Sequence, residues 1–539
     1  MQTETTGRTE RNLALLLILC AIALHGCAAL SAGALWRDEA NSIQQARLSS
    51  WAALGKSLEY DSFPVLYPSV LRIWTVNARA ASDPGLRLFG FLTGLALLAS
   101  IVFVARLLGT RWPVVALVLL GTNALWISEG DSIRPYGLSL LFLLWTYGFM
   151  GKALAGPSGW TLAAAALASV LAVQTSYTNA IFVGVICLCA AGVSLARRDK
   201  AKTWLSLVPG GIAAISLIPY AGILQHAREW AVIVSSRPDW TRILRGLMFP
   251  CTPLLLFVWL AFLILALCRL GAIRVKGSGT TSLRVPFLGY TLSVFVLGLA
   301  AQFVFVQAVN LPLFPRYFLP VAMFGAFAFG SLLDEWKPRL IASAVLAALL
   351  LSAWSDLPTL LLNPWPPWYE LRMRHTNMDQ VGAVLAAQAS PRDLVVVSPW
   401  FLHTSFQRYY RGPAAWMSIP ELEHQPITRY DLIKRAMLEP HPESGTEPRL
   451  REVLQRGGTV WFVSQRLWSY LSRADAPEVP APALAPAGED YVRFRSYWER
   501  EIEYRLNACC VGSEVPMAGT RPVWDEEDLI LTGWREKPR

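Results

Sequence analysis

Residues 12–39 read NLALLLILCAIALHGCAALSAGALWRDE, an apolar run that ends abruptly at Trp36-Arg37-Asp38-Glu39. A membrane-spanning helix needs roughly 20 mostly apolar residues, so 12–34 predicts a span with an acidic pair at its far end. A carboxylate at that depth must find water, a cation or a metal. Leu24-His25-Gly26-Cys27 faintly resembles a lipoprotein processing site, but His25 stands where such sites need a small residue. The reading adopted is a retained span.

The composition agrees with a membrane protein. Of 539 residues, 54% are hydrophobic and only 16% charged, against roughly 25% charged in a soluble domain. Eleven candidate spans follow, at about 12–34, 86–106, 113–129, 136–154, 160–177, 179–196, 203–222, 252–270, 286–308, 317–333 and 339–357. The net charge of +10 comes from Lys and Arg scattered in short loops. That pattern argues against nucleic acid and for a topology signal. With a cytoplasmic N-terminus, Arg106, Arg111, Lys152, Arg197, Arg198, Lys200, Lys202, Arg269, Arg274, Lys276, Arg284, Lys337 and Arg339 all fall inside. The expected fold class is a polytopic α-helical membrane protein with about eleven spans over 1–360 and a C-terminal α/β soluble domain over 361–539. The expected location is the inner (plasma) membrane.

This threading puts 35–85, 223–251 and everything after about 358 on the extracytoplasmic side. In the first segment, Ser49-Ser50 predicts a helix cap, and Leu66, Tyr67, Leu71, Ile73 and Trp74 are spaced for a surface helix. Asn363-Pro364-Trp365-Pro366-Pro367-Trp368 suits an interfacial exit from the bilayer. Beyond it, Thr376-Asn377 predicts a cap ahead of Val381, Val384 and Leu385, followed by a buried strand at 393–398. A second helix at about 447–456 leads through Gly457-Gly458 into a strand at 459–463, an alternation that predicts an α/β layer. Residues 475–488 read as an exposed loop and the remainder to 539 as short strands. Cys509 and Cys510 are read as two buried strand thiols, with a vicinal disulfide as the alternative. No zinc spacing occurs. His226 is expected in an outer loop, and His403 in the core or rim of the outer domain.

Three turns carry the chemistry. Asp38-Glu39 is the first, Ser128-Glu129-Gly130-Asp131-Ser132-Ile133-Arg134-Pro135-Tyr136 the second, and Phe314-Pro315-Arg316-Tyr317 the third. Together they offer carboxylate, guanidinium and phenol at one membrane level. A guanidinium grips a phosphate by paired hydrogen bonds, and a nearby carboxylate accepts the proton of an attacking hydroxyl. Asp38, Glu129 and Asp131 are also of the type that holds magnesium or manganese.

The order of these elements, with Asp61-Ser62-Phe63-Pro64-Val65-Leu66-Tyr67 between the first two and Arg316-Tyr317-Phe318-Leu319-Pro320 at the end, resembles the GT-C integral-membrane glycosyltransferases. The nearest likeness is to the dolichyl-phosphate-mannose protein mannosyltransferase and aminoarabinose transferase group, over about residues 10–360. The resemblance implies a polyprenyl-phosphate-linked sugar donor and inverting transfer to an envelope glycan, lipid or protein acceptor. It implies Asp38 as general base and Glu39 as a supporting catalytic carboxylate. It implies substrate contacts from Asp61, Tyr67, Glu129, Asp131, Arg134, Tyr136, Arg316 and Tyr317. No cofactor is expected, since the resembling families do not require a metal. Family members commonly carry His-Pro-Pro where this chain has Phe63-Pro64-Val65, which points to a different sugar. The competing reading is a transporter or flippase for a lipid-linked sugar, although the sequence shows neither repeats nor broken helices. A scaffold reading leaves the three turns unexplained.

Overall fold

The computed structural model describes residues 2–231, 264, 284–309, 314–333, 368–422, 425–439, 445–466, 480, 488–517, 519 and 521–537. The expected spans 252–270 and 339–357 and most of the 223–251, 363–368 and 475–488 segments lie outside them. Among the described residues, six helices are long and apolar enough to cross a membrane: Arg8–Ser31, Asp83–Leu107, Tyr136–Ala155, Asn179–Ala196, Lys200–Glu229 and Phe287–Val309. Leu16, Leu19, Leu30, Leu188, Ile215 and Val304 project from them exposed. Such apolar stripes are costly in water and suit a helical protein embedded in a bilayer.

The expected span 113–129 is broken. Val114–Gly121 and Ala124–Asp131 meet at 70°, with the side chain of Asn123 accepting from the Trp126 amide to start the second piece. Gly159–Thr175 and Leu319–Leu333 are shorter apolar helices.

Helix α1 (Gln2–Ser31) leads into α2 (Arg37–Ala46), which carries the acidic pair. Helix α3 (Trp51–Ser57) begins where predicted, the Ser50 hydroxyl accepting from the Ala53 amide at 3.0 Å. Helix α4 (Leu66–Trp74) and the start of α5 (Asp83–Leu107) then close a small core of Leu35, Ile43, Tyr67, Leu71, Phe89 and Ile133 beneath α2.

The C-terminal part holds a five-stranded sheet ordered β2-β1-β3-β5-β4: β1 Leu394–Val397, β2 Ala415–Ser418, β3 Val460–Gln465, β4 Cys510–Glu514 and β5 Leu529–Glu536. Strand β1 pairs parallel with β2 and β3, and β5 pairs antiparallel with β3 and β4. Every residue of β1 is buried because both sheet faces are covered. Met378, Val381 and Leu385 pack on Val395 and Val397; on the other face, Phe494, Trp498 and Ile502 pack with Val396 and Phe462.

Two expectations for this part are corrected. The segment after 488 begins with a 22-residue helix, Gly488–Cys509, before the two strands. Its buried Tyr491, Phe494, Trp498, Ile502 and Leu506 follow the 3.6-residue period that identifies a helix face. Cys509 is exposed at the end of that helix while Cys510 is buried at the start of β4; both are free thiols. His403 is buried against Trp400, as expected, whereas His226 is exposed on a helix, Ala221–Ala231.

Candidate functional site

The C-terminal end of α1, the N-terminal end of α5 and the turns at 129–136 and 314–318 meet at one end of the helix bundle. Helix α2 lies across that end and the sheet layer packs on top. Arg37 fixes the junction: its amide donates to Glu527 at 3.0 Å, its guanidinium lies 4.4 Å from the Phe401 ring centroid, and its carbonyl accepts from the Thr404 hydroxyl. Trp36 meets Trp524 edge-on at 5.5 Å. Tyr409 donates to Asp83 at 2.7 Å and accepts from the Leu35 amide at 2.6 Å.

Asp38 and Glu39 are neighbours on α2 and point to different surroundings. Asp38 keeps 30% of its side chain exposed, with Arg134 at 3.8 Å and Arg37 at 3.9 Å. Arg134 is anchored by donating to the Asp38 carbonyl at 3.2 Å and the Ser42 hydroxyl at 3.1 Å, and it lies 5.0 Å over Phe63. Phe63 in turn meets Tyr136 edge-on at 5.7 Å. Tyr136 carries the second guanidinium, Arg316, 5.5 Å above its ring. Arg316 also contacts Phe314 and Tyr317, and it faces Glu129 at 3.8 Å. Two cations and two carboxylates thus flank an aromatic pair. The Nε atoms of both arginines lack a hydrogen-bond partner among the described residues.

Burial opposes charge on Arg134, but Asp38, Tyr136 and Asp61 outweigh it and hold the guanidinium firmly protonated. Asp61 is half-buried and takes the Ser62 amide on Oδ1 at 2.7 Å. Burial pushes its carboxyl upward against the pull of Arg134. Tyr67 sits 2% exposed in the core beneath α2, its hydroxyl unpartnered among the described residues.

Glu39 faces neither solvent nor this cluster. It is fully buried, bound by both Arg87 terminal nitrogens at 2.8 and 2.9 Å and by the Ile133 amide at 3.0 Å, with His375 at 3.5 Å. Burial alone would raise its carboxyl; Arg87 and His375 instead hold it well below the usual carboxylate range. With its acceptor sites taken by Arg87 and the Ile133 amide, Glu39 holds the Ile133 turn in place. Asp131, expected among the substrate contacts, pairs its Oδ1 with His25 Nδ1 at 2.7 Å and leaves Oδ2 without a partner among the described residues. Helix α5 passes this pair through Gly90 and Gly94, where a Cβ would collide with the Asp131 carbonyl and carboxylate respectively.

The structure therefore brings together Asp38, Asp61, Glu129, Arg134, Tyr136, Arg316 and Tyr317, and it diverts Glu39 and Asp131 into a second cluster. Arg87, His25 and His375 complete that second cluster and were missed in the sequence. For His25 and Arg87 the available signal was a lone imidazole or cation inside an apolar run, while His375 lies in the polar stretch Arg374-His375-Thr376-Asn377 and carried none. Among the described residues no group of three or more metal-ligating side chains could hold an ion.

No protein-family model matches this chain, and no curated protein is significantly similar to it. The reading of function rests on the geometry and on the order of the motifs.

Proposed function

We propose that the chain is an integral-membrane glycosyltransferase that moves a sugar from a polyprenyl-phosphate donor to a hydroxyl of an envelope glycan, lipid or protein on the extracytoplasmic face. The observation that carries this reading is the half-exposed Asp38 carboxylate beside Arg134, with Arg316 and Glu129 across the Phe63–Tyr136 pair, at one end of apolar helices. In the proposed step the acceptor oxygen bonds to the anomeric carbon as the carbon–phosphate oxygen bond breaks on the opposite face, giving inversion. Asp38 takes the hydroxyl proton. Arg134 and Arg316 stabilise the charge that collects on the departing phosphate. The proposed architecture adds spans 252–270 and 339–357 to reach eleven, with the N-terminus cytoplasmic by the distribution of Lys and Arg. No metal is needed in this scheme.

One observation favours the flippase reading. The 70° break in 114–131 carries Glu129 and Asp131 at its end, and broken helices recur at transporter sites. Purified protein given lipid-linked sugar and an acceptor separates the two. The transferase releases free polyprenyl phosphate in proportion to glycosylated acceptor, whereas redistribution of intact donor across a vesicle without release supports transport and overturns the proposal.

A further inference from the structure

Behind Glu39 lies a small open cleft, about 360 Å³ of empty space counting its solvent mouth, with Arg87, Ser128, Asp131, Glu370 and His375 at its polar side. Its chemistry is lopsided. Arg87 is consumed by Glu39 and by the carbonyls of Gly33 and Ala34, so its charge is already cancelled. The Ser128 hydroxyl donates to the Leu125 carbonyl and keeps its lone pairs free to accept. Asp131 is 7% exposed, and its Oδ2 has no hydrogen-bond donor among the described residues. His375 Nδ1 is turned to Glu39 at 3.5 Å and is engaged there. Burial, helped by the charge of Asp525, pushes the Glu370 carboxyl up to about 7.

Asp131 Oδ2 thus faces the cavity with no donor among the described residues, and a buried carboxylate oxygen without a partner is costly. The missing partner is a compact cation with several N–H donors. A primary ammonium supplies three. The apolar part of the lining, Ala28, Ala29, Ala32, Leu371 and Met373, suits a short alkyl stem.

We infer that this cavity binds a primary ammonium group on a short alkyl stem, held between Asp131 and Glu370 and accepted by Ser128. The cavity sits at the C-terminal end of α1, lined by Ala28, Ala29 and Ala32, and the intervening Leu30 is 82% exposed. An aminoethyl phospholipid headgroup reaches this level directly; a soluble amine enters from the water side. The site is separate from the Asp38 cluster, and the inference stands whether or not sugar transfer does.

The test uses the full chain in nanodiscs containing equal phosphatidylethanolamine and phosphatidylcholine, with retained lipids counted by native mass spectrometry. Trimethylated choline has no N–H to donate. A parallel arm measures thermal protection by millimolar ethylamine against tetramethylammonium in amine-free detergent. Preferential retention of the ethanolamine lipid identifies a headgroup site; protection by ethylamine without lipid preference identifies a soluble amine. In either case Glu370→Gln should weaken the preference about tenfold, the loss of one charge-assisted hydrogen bond. Asp131→Asn should do the same but also disturbs His25, so Glu370→Gln decides. Equal retention of both lipids with no ethylamine protection overturns the inference, as does a Glu370→Gln protein with unchanged preference.

Discussion

Asp38 and Glu39 share a peptide bond, a charge and a helix, yet they belong to two different regions. Around Asp38 the contacts are long, 3.8 and 3.9 Å, and the carboxylate keeps access to water. Around Glu39 every acceptor is satisfied at hydrogen-bond distance and nothing is exposed. Adjacent helical residues point about 100° apart, so one turn of geometry is enough to give neighbours opposite roles. The lesson is that loosely held charge is available for chemistry while saturated charge is architecture. The Ile133 amide on Glu39 links the two, since it fixes the turn that presents Arg134.

This contrast is open to attack by substitution. The largest effect is expected from Glu39→Ala, which strands Arg87 unpaired in a buried site and should cost about 3–5 kcal/mol. Thermal unfolding in detergent reads this; an unchanged midpoint would remove the distinction between the two carboxylates. Next comes Glu527, the partner of Arg37. Burial pushes its carboxyl up to about 7 despite Arg37, so the folded state favours the protonated form. Its contribution is therefore full below about 4.5, the unfolded value, and is lost as pH rises through about 7. The loss is on the order of 3 kcal/mol at most. Unfolding followed from pH 4.5 to 8 should show this slope, and Glu527→Gln should flatten it.

A smaller change is expected from Arg134→Lys, which keeps the charge but loses the planar fork whose Nη1 bonds the Asp38 carbonyl and Ser42 while Nη2 faces the Asp38 carboxylate. Turnover should fall about tenfold with stability little altered. Measured donor consumption at wild-type rates would mean that Arg134 does not touch the phosphate. The smallest effect belongs to the stability of Asp38→Asn. Its ion pairs are long and partly solvated, so their loss should cost under about 1 kcal/mol.

The six described spanning helices and strands β1 and β3 were legible because their burial shows as continuous apolar runs. Asp38, Arg134 and Arg316 were legible as a group because each ends an apolar run at the same level. What the sequence hid was pairing across distance. Nothing local to His25 announces Asp131, 106 positions away, or local to Arg87 announces Glu39. The helix at Gly488–Cys509 was hidden differently, since its Arg and Glu pairs and aromatic residues dilute the apolar signal, although the period is present. The break at 114–131 was invisible to a count of apolar residues because both halves are equally apolar in kind.

The most direct test of the account is turnover by purified Asp38→Asn protein, supplied with polyprenyl-phosphate sugar and acceptor, alongside its unfolding midpoint. The account predicts a midpoint close to wild type and release of polyprenyl phosphate reduced by at least about 100-fold, the usual contribution of a general base. A folded Asp38→Asn protein that releases polyprenyl phosphate at near-normal rate would contradict it.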